Sequence, residues 1–211
     1  SKKRRSLPQS AVDAIPRFNL VSGLSLFKAY ADRLNATMGA TDWRIVEPLA
    51  EALFTAWQDK KQVFLAGNGG SAANCNHIVN DFVYSVSKEI GKGLRIRSLS
   101  ESPAIMSCLA NDEGYEKIFS SQLPVFSDAG DILWVMSGSG NSTNIIKVLE
   151  VAQELGMTSF AVLGFDGGQA AKLADHVIHF PVADMQVAED LQMVVSNMVV
   201  QYLYSRRSEI R

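Results

Sequence analysis

Cysteine is scarce in this chain of 211 residues, with Cys75 and Cys108 its only two. That number excludes a disulfide-rich frame, and their separation matches no zinc-finger spacing. Free thiols suit a reducing compartment, so the cytoplasm is the expected location. Long hydrophobic runs are missing too. No stretch approaches the roughly 18 consecutive apolar residues of a membrane helix, and no apolar leader follows the basic start, so no membrane association is expected. Charge of one sign is nearly balanced, at 20 Lys and Arg against 22 Asp and Glu for a net charge of −2. Such a chain has no general attraction for nucleic acid or anionic lipid, because both require a basic face. The one basic cluster, Lys2, Lys3, Arg4 and Arg5, precedes Pro8 and Pro16 in a stretch without apolar periodicity. Residues 1–16 therefore read as a flexible, solvated basic tail.

What is present is an ordinary globular composition, 47% hydrophobic and 20% charged. Residues 17–207 are long enough for one sizeable α/β domain. Apolar residues recur at helical intervals from Phe18 to Met38 and again from Trp43 to Trp57, which predicts two leading helices. Thr41 is placed to cap the second, and Pro48 to kink or restart it. Short apolar runs then alternate with amphipathic stretches. Val63 to Ala66, Leu94 to Ile96, Ile132 to Met136, Ser159 to Leu163 and Val177 to Phe180 read as buried strands. The helical stretches fall around Asn74 to Val86, Pro103 to Leu109, Asn144 to Leu155, Gln169 to Leu173 and Val187 to Tyr204. This βαβ rhythm predicts a parallel sheet covered on both faces, with ligands bound at the carboxyl ends of the strands.

Two loops occupy such ends. Gly67-Asn68-Gly69-Gly70-Ser71 joins a predicted strand to a helix, and Ser137-Gly138-Ser139-Gly140-Asn141-Ser142 repeats the arrangement. Glycines such as Gly69 and Gly138 let the backbone approach an anion, helix N-termini present unpaired N–H groups, and the serines add hydroxyl donors. Neither loop contains a lysine or arginine, which suits a compact phosphate monoester held by hydrogen bonds. Gly67, Gly69 and Ala72 also match the dinucleotide pattern G-x-G-x-x-A, but the second strand runs into Arg97 and Ser98 where that motif needs an acid. A Walker loop is excluded, since no Gly-Lys-Ser or Gly-Lys-Thr occurs. His176 and His179, in the last predicted strand, read as strand or core histidines.

These loops, with His77 and Asp81, Asn111-Asp112 and Gly164-Phe165-Asp166-Gly167-Gly168, resemble the SIS (sugar isomerase) family, and its phosphoheptose isomerase branch in particular, from about Phe18 to Tyr204. The resemblance implies a single SIS domain, a flavodoxin-like three-layer α/β fold with a five-stranded parallel sheet flanked by helices, two leading helices packed between subunits, and a homotetramer with sites at its interfaces. It implies that Ser71, Ser137, Ser139 and Ser142 hold the phosphate, that Asn68 and Glu101 touch sugar hydroxyls, and that Glu189 lines the substrate. It further implies aldose–ketose isomerisation of a sedoheptulose 7-phosphate type of sugar.

Against the family pattern, Asp81 stands at a glutamate position, Glu189 at a glutamine position and Asn197 at a histidine position. Asp81 is then the expected base, with His77 completing the proton transfer. Some family members bind zinc here, and His77, Asp81 and Glu189 are the matching metal candidates, with an unmetallated polar wall as the alternative. Because asparagine shuttles no proton, a non-catalytic sugar-phosphate-binding regulator or assembly factor is the second functional reading. The DnaA-associating relatives, which carry asparagine at the position of Asn197, represent that role.

Overall fold

The runs Val63 to Ala66 and Ile132 to Met136 carry no charge, and such strands are stable only when both faces are covered. The computed structural model, which describes residues 23–210, places both at the centre of a five-stranded parallel sheet. Its strands are β1 (Gln62–Gly67), β2 (Arg95–Ser98), β3 (Ile132–Ser137), β4 (Thr158–Leu163) and β5 (His176–His179). The spatial order is β2-β1-β3-β4-β5, so the winding reverses between β1 and β3. In open α/β sheets that reversal opens the crevice where ligands bind.

Among the described residues eight α-helices surround the sheet: α1 (Gly23–Ala40), α2 (Glu47–Asp59), α3 (Gly69–Asn80), α4 (Pro103–Asp112), α5 (Leu123–Phe126), α6 (Thr143–Glu154), α7 (Ala170–Leu173) and α8 (Met185–Ser205). Strand alternation divides the core in two. Val63, Leu65, Trp134 and Met136 point to one side, where they meet α2, α3 and α8. Phe64, Ala66, Leu133 and Val135 point to the other, against α6 and α7. This is the period-two consequence of a pleated strand buried on both faces. The side chain of Trp134 meets Phe82 edge-on at 6.2 Å.

The expected elements appear, with local differences. Thr41 does not cap the second helix; its hydroxyl donates to the carbonyl of Thr37 and closes α1. Asp42 caps instead, accepting from the Arg44 N–H at the start of a 3₁₀ turn, Trp43–Val46. Pro48 restarts the helix, because the first turn of α2 needs no N–H from it. The helix expected to run to Val86 widens into a π-helical turn, Asp81–Ser85. The first strand after it lies at Arg95–Ser98, one to two residues beyond the expected run. The basic tail and residues 18–22 of the first expected helix lie outside the described residues.

Helix α1 buries none of its residues, and Leu24 and Phe27 are 77% and 72% exposed. Polar contacts tie it to α8. The Tyr30 hydroxyl donates to Asp190 at 2.5 Å, and Arg33 pairs with Asp184 at 3.0 Å. Burial and the hydrogen bond to Asp190 push the Tyr30 phenol up to about 12, which keeps it a neutral donor.

Candidate functional site

At the winding reversal β1 and β3 are direct neighbours in register, with Gly67 opposite Met136. The two glycine-rich loops therefore leave the sheet side by side. The first bends at Gly69 into α3, and the carboxylate of Glu189 occupies the space that a side chain at Gly70 would take. A Cβ at Gly70 would lie 2.5 Å from the carboxylate carbon of Glu189. Side chains on a helix lean toward its N-terminus, which is why Glu189, near the start of α8, leans over the start of α3. A carboxylate there complements the positive end of the helix.

In the second loop the Ser137 hydroxyl accepts from the Gly140 N–H at 3.1 Å, and that of Ser139 from the Asn141 N–H at 3.3 Å. Both hydroxyls thus spend lone pairs on their own loop and keep their protons for a ligand. Gly140 takes φ +66° and packs against the backbone of Gly167, while its carbonyl accepts from Ala170 at 2.9 Å. The third glycine loop, after β4, thereby braces the second. Phe165 in that brace has a left-handed φ of 47°. It is held from both sides, its N–H donating to Val182 and its carbonyl 3.1 Å from Nε2 of His179. Ser142 caps α6 with no side-chain hydrogen bond to the helix, and no acid stands in the first turn.

Asn68 joins the loops to each other. Its amide exchanges two hydrogen bonds with that of the buried Asn144, at 2.9 and 2.8 Å, and accepts from Tyr115 at 3.1 Å. Ser71 is 4% exposed, and its hydroxyl accepts from Gln192. Glu101 stands in the turn after edge strand β2, the neighbour of β1, where Arg97 pairs with it at 2.5 Å. Asn68, Gly69, Ser71, Ser137, Gly138, Ser139, Ser142 and Glu189 are thus carried by the two loops and the helix beside them, and Glu101 is not.

His77 and Asp81 sit farther along α3. Nε2 of His77 is 3.2 Å from Oδ2 of Asp81, and the other carboxylate oxygen is 3.3 Å from Asn80 Nδ2 and 3.4 Å from the Ser85 hydroxyl. The π-helical turn that begins at Asp81 places Ser85 within that reach; π-turns recur at functional positions. His77 is exposed and Asp81 largely covered.

A three-ligand metal set does not fit these residues. Glu189 leans to Gly70, seven residues before His77 and so about 10 Å away along α3. Among the described residues no group of three or more His, Cys, Asp or Glu is placed to hold a metal ion. Asn197 is exposed on α8. His176 stacks on Phe160 at 4.7 Å on the outer edge of the sheet. On the buried face of α3, burial pushes the Cys75 thiol up to about 12, leaving it a packing group.

Sequence reasoning passed over Asn74, Asn144 and Gln192. A signal for Gln192 was present: it falls in the stripe Ala188, Gln192, Val195, Val199, whose spacing of four, three and four marks a buried helix face. A polar residue in such a stripe needs a partner.

The SIS domain model matches residues 27–164. A phosphoheptose isomerase of Aneurinibacillus thermoaerophilus is 35% identical over 156 residues, covering 74% of this chain and 78% of the relative. One from Burkholderia pseudomallei is 34% identical over 173 residues, covering 81% and 87%. The solved phosphoheptose isomerase of Neisseria gonorrhoeae superposes with a TM-score of 0.79 at 24% identity, covering 86% of this chain and 97% of that one, which establishes the shared fold. With the parallel sheet, the paired serine loops at its winding reversal and these relatives, the chain belongs to the SIS-domain family, in its phosphoheptose isomerase branch.

Proposed function

We propose that this protein binds a seven-carbon sugar phosphate and interconverts its aldose and ketose forms. The observation that carries the reading is the separation of Ser71 from Asp81, ten residues along α3 and its π turn. That is about 15 Å at 1.5 Å per residue. From the phosphorus to C1 of a heptose 7-phosphate is eight single bonds, roughly 10 Å when extended at bond lengths of about 1.5 Å. Contact distances at both ends take up the remainder. A triose phosphate is too short to reach.

Ser71, Ser137, Ser139 and Ser142 donate to the phosphate, with Gly69 and Gly138 letting it approach the backbone. Asn68 and Glu101 meet sugar hydroxyls. Glu189 accepts from a hydroxyl and repels the phosphate toward the second loop. Asp81 removes the proton from the carbon beside the carbonyl while the carbonyl oxygen takes one up, giving an enediol. The second hydroxyl then loses its proton, the carbonyl re-forms on that carbon, and Asp81 returns a proton to the neighbouring carbon. His77, against Asp81, exchanges protons with the oxygens.

The exposed apolar face of α1 suits a homotetramer, and the two free thiols suit the cytoplasm. The test is isomerisation of sedoheptulose 7-phosphate by the unmodified protein beside Asp81→Asn, in which turnover falls about 10²- to 10⁴-fold. Equal turnover in both removes Asp81 from the chemistry. Binding without turnover in either leaves a phosphosugar-dependent regulator, the reading that Asn197 favours.

A further inference from the structure

The hydrogen bonds behind Ser71 have a direction that can be deduced. The backbone carbonyl of Glu189 can only accept, so Asn74, 3.0 Å from it, presents its NH₂ there. The same NH₂ faces Oε1 of Gln192 at 3.0 Å, which settles the orientation of the Gln192 amide. Its Nε2 then donates to the Ser71 hydroxyl at 3.0 Å. Gln192 is 1% exposed and Ser71 4%, so no water competes freely for these groups. Ser71 oxygen is thus an acceptor inside the protein, and no hydrogen bond takes up its proton among the described residues.

We propose that Asn74 and Gln192 are positioning residues that occupy the inward lone pair of the Ser71 hydroxyl and turn its proton outward, so that the first loop favours an acceptor such as a phosphate oxygen. The proposal rests on the sugar-phosphate reading of the site. Gln192 acts entirely through Ser71 and touches no ligand. Its replacement by glutamate reverses the last link: a carboxylate accepts, Ser71 donates inward, and the ligand loses that proton.

The experiment titrates sedoheptulose 7-phosphate into the unmodified protein and into Gln192→Glu, Gln192→Met, Ser71→Ala and the double variant Ser71→Ala/Gln192→Glu, with thermal unfolding of each. Gln192→Met keeps the side-chain shape without a buried charge and covers the case in which Gln192→Glu fails to fold. Gln192→Glu weakens binding roughly 10- to 100-fold, the worth of one hydrogen bond to a charged group, and Gln192→Met weakens it several-fold. If the unmodified protein turns the sugar over, KM rises and kcat holds, as for a lost uniform-binding contact. In the Ser71→Ala background Gln192→Glu has no further effect on affinity. A purely structural role instead gives additive losses, which overturns the proposal, as does full affinity in folded Gln192→Met. Failure of the unmodified protein to bind removes the sugar-phosphate reading itself and the proposal with it, whereas undiminished affinity in the folded Gln192 variants overturns the positioning role alone.

Discussion

Replacing Glu189 by Gln removes one negative charge from the mouth of the first loop while keeping the side chain's length and its accepting oxygen. The carboxylate carbon stands 2.5 Å from where a Cβ on Gly70 would be. A phosphate placed as proposed, on Ser71 and the first N–H groups of α3, would carry its charge on the order of 5 Å from that carboxylate, one hydrogen-bond length and a P–O bond beyond the loop. Two unit charges at that distance repel by about 3 kcal/mol at an effective dielectric of 20. Glu189 is half-exposed and the crevice is open, so about 1 to 2 kcal/mol survives screening. Glu189→Gln should therefore bind sedoheptulose 7-phosphate roughly 5- to 30-fold more tightly, from 1.4 kcal/mol per factor of ten. Isothermal titration at two ionic strengths measures it. The gain shrinks as the Debye length falls from about 10 Å at 0.1 M to about 3 Å at 1 M salt. Unchanged or weaker binding at low salt refutes the placement of the phosphate between the loops, since no anion within reach of Ser71 escapes that carboxylate.

Other expectations follow from single contacts. Gly140→Ala forces a Cβ into the Gly167 backbone at a left-handed φ; the conformation alone costs about 1–2 kcal/mol, so both the unfolding midpoint and sugar-phosphate affinity fall, and a variant that keeps both denies the bracing role of the third loop. The hydroxyl of Ser196 is buried without a hydrogen-bond partner among the described residues. Ser196→Ala should stabilise by about 1 kcal/mol in denaturant titration, and a loss would mean the hydroxyl is bonded through a buried water. The Val187 N–H, helped by Arg33, holds the carboxyl of Asp184 below its ordinary range. A depressed folded value means that its stabilisation is present above the unfolded value near pH 4 and is lost as pH falls through the folded one. Asp184→Asn keeps a capping oxygen and removes that acid sensitivity, so the two proteins' melting temperatures diverge less below about pH 4 than above it.

The strands and the two serine loops were legible because their determinants are local: a continuous apolar run, then glycine where the chain must turn tightly. Boundaries moved where a local pattern has two solutions. The run after Asn74 keeps its apolar period through Phe82 and Val86 whether the turns are α or π, so the widening at Asp81 leaves no trace in the pattern. Helix α5 is a single turn led by a proline and too short to show any period. Thr41 and Asp42 are both sound caps by residue type, and only the geometry of the chain reversal chooses Asp42. In the site, the residues that line the loops were readable, whereas the contact of Glu189 with Gly70 belongs to the packing of α8 on α3. No spacing within either segment contains it. Gln192 announced itself only by interrupting an apolar stripe.

The adjacency of β1 and β3 sets a gauge for the whole site. Paired strands stand about 4.8 Å apart, and the register of Val63 with Ile132 through Gly67 with Met136 locks that separation up to the base of both loops. Neither loop can be spread from the other by changing its own residues without breaking the ladder beneath it. The proposed phosphate end is thus a standard fitting, insensitive to what the rest of the ligand looks like. Adaptation to a different sugar falls to the exposed face of α8, where residues such as Asn197 can be exchanged while the fitting stays as it is.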